Sequence, residues 1–227
     1  MSSYSLWQYF HILLFVYWLG ADLGVFLASR YVARADLPTP ERLRFLEMLL
    51  KVDMGPRTAL ILMVPVGFTL ATQLGLAPFA VGLLPAIWGI AVLWLILAWR
   101  LYLMGRDPRA QSLAKLDHWI RVTVAALFLS VGALSLVEGT PVTARWLALK
   151  MLLFAVVVII GLLLRRVIRD WAQGFAVLNS AEASAAATAD ANATIFSAYR
   201  RATRLAHTLW LLVALIALLG VIKPAWN

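Results

Sequence analysis

The chain has no cysteine, which excludes disulfides, thiolate metal sites and a cysteine nucleophile and says nothing about compartment. Charge is scarce. Asp, Glu, Lys and Arg make up 14% of the 227 residues, against roughly 25% in soluble domains. Acidic residues are scarcer still, 11 against 20 basic ones. No long polar segment is present that would fold as a separate soluble domain. HExxH, a phosphate-binding glycine loop and a methionine track are all missing. The six Met are scattered, which counts against copper handling, where soft ligands are concentrated. The N-terminus lacks a basic n-region and a small-residue cleavage site, so the first apolar run is expected to stay in place.

What is present is apolar residues, 63% of the chain. They fall in long continuous runs, whereas a membrane barrel would alternate. The fold class read from this is all-α: a polytopic helical membrane bundle, one integral domain over 1–227. Six spans are predicted, at about 6–29, 57–75, 83–104, 118–137, 144–165 and 205–222. Pro65 is expected to kink the second. Ten Trp and six Tyr suit interfacial belts. Thr39 and Pro40 signal a short helix before the second span, with Thr39 as its cap. Its alternation of charge with Leu43, Phe45, Leu46, Leu49 and Leu50 suits the membrane surface. A polar linker is expected over about 170–200; its part from Asn179 to Thr194, rich in Ala, Ser and Thr, reads either as a helical extension or as loose chain.

Seventeen of the twenty Lys and Arg lie in the first, third and fifth loops. The positive-inside rule makes those loops cytoplasmic and both termini periplasmic, in a bacterial inner membrane. This distribution accounts for the net charge of +9 without nucleic acid as a partner; the lipid bilayer is the partner it implies.

Within the first span, His11, Trp18 and Asp22 fall on one helical stripe, since seven and eleven residues are close to two and three turns. Ionisable groups at membrane depth face protein or a water-filled cavity. His11 suits a haem ligand, a metal ligand or a proton-transfer group, and equally an interfacial His bonded to a carbonyl or headgroup. Lys150, at the same predicted depth, suits a contact to a carboxylate such as a porphyrin propionate, or snorkelling. Asp22 needs a partner, for which Arg57 and Arg100 are the candidates, in a structural ion pair or a proton relay. His118 and His207 each begin a span on the basic side, with Asp117 as an N-cap. They either pair on a haem or metal or stand apart at the interface. The metal candidates are thus His11, His118 and His207, and the cofactor candidates His11, Lys150, Trp18 and His207.

These pieces resemble, in their order, the HemJ type of protoporphyrinogen IX oxidase and the CopD-like membrane proteins. The similar parts are an aromatic-led His11-Ile12 followed by Trp18 and Gly20, Glu41-Arg42 and Glu47 with Met54-Gly55-Pro56, Trp146 and Lys150 as W-x-x-x-K, and a last span ending Val221-Ile222-Lys223-Pro224. They cover about half of the chain. The third and fourth spans are additional to that family's four-helix unit. Ile160-Gly161-Leu162 and Ala206-His207 stand where the family has a further His and an Asn-Glu. The resemblance implies His11 as a contact to b-type haem or porphyrin, Lys150 as its companion, and a redox or haem-biosynthesis role, with the oxidase activity as one possibility. It also leaves a CopD-like ion or metal transporter, with Asp22 and Arg57 or Arg100 lining its path. A third expectation is a non-catalytic assembly subunit. A homo-oligomer or a membrane redox partner is compatible with each.

Overall fold

A computed structural model describes residues 2–105, 107 and 109–225; Arg106, counted above among the third-loop charges, lies outside them. Among the described residues there is no strand. Seven α-helices follow in order: α1 (Ser3–Val32), α2 (Thr39–Val52), α3 (Met54–Gln73), α4 (Leu84–Met104), α5 (Ala110–Glu138), α6 (Arg145–Leu178) and α7 (Ala185–Ile222). Six helical units are long and apolar enough to cross a membrane, α2 and α3 counting as one. The chain is a multi-pass membrane protein.

The helices alternate in direction. Gln73 at the end of α3 donates to Ser3 at the start of α1 at 3.0 Å, and Thr143 before α6 donates its backbone N–H to Leu76 at 3.1 Å. These residues define one end of the bundle. The other, basic end holds the α1–α2, α4–α5 and α6–α7 connections.

α6 is the axis, packed along α5 on one flank and α7 on another, while α1 packs on α3 and α3 on α4. Close approach of α5 to α6 depends on Gly132: a Cβ there would stand 2.9 Å from the Ala148 carbonyl oxygen. Small residues at crossings are how membrane helices gain dispersion contacts, because lipid leaves no hydrophobic drive between them. The central core is Trp18, Ile61, Trp94, Phe154, Val157 and Leu209 with their neighbours.

A second core lies at the basic end. α6 has 34 residues and α7 has 38, about 50 and 57 Å at 1.5 Å per residue, against a hydrocarbon core of roughly 30 Å. Their ends run past the membrane as an antiparallel hairpin. Trp171 donates from Nε1 to the Ile195 carbonyl at 3.1 Å. The expected 170–200 linker is therefore helical apart from residues 179–184, with Ser184 capping α7 through the Ala187 N–H at 3.1 Å. Val32, Leu49, Trp171, Phe175 and Ile195 make up this core.

Three sequence expectations are corrected here. Thr39 is already helical, follows Pro38 and caps nothing with its side chain. The apolar stripe of α2 packs into the second core, on α1 and the α6–α7 hairpin, and not on a membrane surface. Arg42 is 2% exposed and fastens it: Nε donates to the Val32 carbonyl at 3.0 Å, Nη1 to Asn192 Oδ1 at 2.7 Å, and the guanidinium lies over Phe175. Asp117 is no N-cap, because α5 begins two turns earlier, at Ala110. α3 itself runs unbroken through the buried Pro65.

Candidate functional site

The interior stripe of α1 organises both candidate sites. Near the N-terminal end, His11 passes over Gly67 of α3, where a Cβ would lie 3.9 Å from its Cε1. Its Nδ1 is buried and, among the described residues, has no hydrogen-bond partner. A buried nitrogen without a partner calls for an explanation, since such groups are normally paired. Lys150 projects from α6 between two constraints. Its Nζ sits 5.8 Å from the Trp146 ring centroid and 2.7 Å from where a Cβ on Gly220 of α7 would be. The ammonium thus lies against the bare backbone of α7 at Gly220, and a side chain there would make it shift. Lys150 and His11 are within electrostatic reach of one another. Both side chains are partly buried, His11 on α1 and Lys150 on α6.

Trp18, next on the stripe, is 3% exposed and meets Phe154 edge-on at 6.3 Å. It belongs to the core and separates His11 from a second site. That site is a chamber of about 120 Å³ toward the basic end. Asp22 lines it, accepting at Oδ2 from Trp210 Nε1 of α7 at 2.6 Å. Arg57 lines it too, ion-paired one turn back with Asp53. Arg121 and Arg165 complete the polar wall. Behind them Asp117, 0% exposed, accepts from Trp94 Nε1 at 2.8 Å and from Arg121 Nε at 3.2 Å, and pairs with Arg165. Polar groups from α1, α3, α4, α5, α6 and α7 therefore converge on one level of the bundle.

Asp22 does not pair with its expected partners. Arg57 is committed to Asp53, and Arg100 lies exposed at the end of α4. Among the described residues the buried Lys and Arg are instead Arg42 and Arg121. His118 and His207 do not form a pair. Each is exposed, His118 beside Trp119 at 5.8 Å and His207 beside Phe26 at 5.4 Å and Trp210 at 5.5 Å. Among the described residues no three His, Asp or Glu side chains form a metal-holding group. The Asp117–Arg121–Arg165 cluster escaped the sequence reading, although Asp117 and Arg121 stand at the i,i+4 spacing that marks an ion pair on a helix.

A shallow bowl at the basic end is lined by Arg30, Arg34, Asp36, Asn192, Phe196 and Tyr199. Its charge is partly spent: Arg34 holds Asp36 at 2.5 Å, and that hydrogen bond keeps the Asp36 carboxyl below the usual carboxylate range. Compared with known proteins, the chain matches no family model, no curated protein and no solved structure.

Proposed function

We propose that this is a protein of the bacterial inner membrane that binds a tetrapyrrole, b-type haem or porphyrin, through His11, with Lys150 facing a propionate, and serves a redox or haem-biosynthesis reaction. The observation that carries the reading is the buried, unpartnered Nδ1 of His11 with the Lys150 ammonium in reach. The donor set fits the group: an imidazole nitrogen suits iron, and an ammonium is a point charge suited to a carboxylate. The order of HemJ-like and CopD-like pieces in the sequence supports the same assignment. Bound there, the tetrapyrrole supplies the electron chemistry, and the chain supplies position and charge. His11 and Lys150 do not line the chamber at Asp22, so the helices around them must admit the ring. The transport alternative is weaker, because Trp18 stands buried between the chamber and His11 and interrupts any path along that stripe.

The test is the visible spectrum of the protein purified in mild detergent with haem supplied during expression. A Soret band is expected that His11→Ala abolishes and Lys150→Gln weakens, while His118→Ala and His207→Ala leave it unchanged. A colourless wild type overturns the reading.

A further inference from the structure

The chamber at the basic end carries polar chemistry that the tetrapyrrole reading leaves unused. We propose that it is a binding site for the head group of a membrane quinone or quinol, a neutral, flat ring bearing oxygen on opposite edges. The inference rests on the redox reading above for its context, since a quinone is the electron carrier that dissolves in the bilayer the chain crosses. Its physical support is separate.

Charge is the first argument. The polar level holds three carboxylates, Asp22, Asp53 and Asp117, and three guanidiniums, Arg57, Arg121 and Arg165. A charged guest would leave one ion uncompensated at membrane depth, which is costly. A neutral guest leaves the balance intact.

The free valences are the second. Asp22 uses Oδ2 for Trp210, and Arg121 reaches Asp117 through Nε. A carboxylate oxygen can therefore accept from a ring hydroxyl, and guanidinium N–H groups can donate to a ring carbonyl. Shape is the third. Trp18, Phe26 and Trp171 give the chamber flat aromatic walls, and its volume of about 120 Å³ is somewhat below the roughly 150 Å³ that takes a bare benzene ring, so a substituted ring enters as side chains at the rim give way. On α1 the lining runs from Trp18 to Ser29, about 16 Å along the axis, so the slot is long in the direction an apolar tail needs.

Gly161 of α6 lines the chamber, and a Cβ there would find nothing within 4 Å. Gly161→Phe therefore starts from an unhindered Cβ and puts a ring into the chamber. The experiment titrates the full-length protein in detergent with ubiquinone carrying a single isoprene unit and follows tryptophan fluorescence. Saturable quenching is expected, weakened by about tenfold or more in Gly161→Phe and in Asp22→Asn, with near-native helical circular dichroism in both. Linear, unsaturable quenching, or saturation unchanged in Gly161→Phe, overturns the proposal. So does displacement of the quinone by benzoate, which would mark an anion site. The Soret band of each preparation separates the two readings. A coloured protein without saturable quenching sinks the quinone site alone, and saturable quenching in a colourless protein sinks the tetrapyrrole alone.

Discussion

Asp117 shows what one residue decides in this molecule. Its carboxylate is fully buried, and it holds Trp94, Arg121 and Arg165 together from three helices. Two guanidiniums beside each other are tolerable only with that charge between them. Breaking a buried ion pair from one side costs about 3–5 kcal/mol, because the surviving charge stays desolvated. Asp117→Asn, nearly isosteric, is expected to lose stability on that scale, read as a large drop in the thermal midpoint in detergent. Asp22→Asn is expected to lose less than Asp117→Asn, because no guanidinium is ion-paired to Asp22 and an amide oxygen still accepts from Trp210. Equal losses in the two variants would refute the assignment of Asp117 as the structural ion. The sequence offered Asp117 as a helix cap because an acid before an apolar run is the usual start signal. The polar turns from Ala110 that precede it hid the true start.

At the scale of elements, the apolar runs made the six spans legible, since length and hydropathy alone set them. The α6–α7 hairpin was not legible. Its outer part is Ala, Ser and Thr, with too few large apolar residues to show a helical stripe, and it is held by contacts 24 residues apart, such as Trp171 to Ile195. The same limit applied to α2, whose stripe reads alike whether it meets lipid or protein. His11 and Lys150 were legible as candidates, yet nothing in the sequence pointed to Gly220 as the space for the ammonium. Helix crossings give an element-scale prediction. Gly132→Ala puts a methyl 2.9 Å from a backbone carbonyl and from Leu152 Cγ, so α5 must move off α6 at a cost of about 1–3 kcal/mol. Gly161→Ala meets open space and is expected to be neutral or to gain up to about 1 kcal/mol in helix propensity. Thermal unfolding in one detergent checks both, and a loss in Gly161→Ala would contradict the open chamber.

Over the whole molecule the two ends are unlike. One carries His11 and Lys150; the other carries the chamber, the second core, the protruding hairpin and, among the described residues, sixteen of the nineteen Lys and Arg. Basic loops resist translocation, so the hairpin end is expected in the cytoplasm. The lack of native cysteine makes this directly measurable. Gly82, exposed in the α3–α4 connection, and Glu182, exposed in the α6–α7 turn, are at opposite ends. In intact spheroplasts a membrane-impermeant maleimide is expected to label Gly82→Cys, and Glu182→Cys only after the membrane is opened. The result bears on chemistry as well as topology. With Glu182 inside, the Asp22 chamber lies in the cytoplasmic half of the membrane and His11 in the periplasmic half, about 16 Å apart along α1, with Trp18 between them. Electrons can cross such a gap, but protons need a hydrated path that the buried Trp18 denies them. A tetrapyrrole at His11 and a carrier at Asp22 would then exchange electrons while each takes its protons from its own side. Labelling of Glu182→Cys from outside would reverse that polarity and place the carrier's protons in the periplasm.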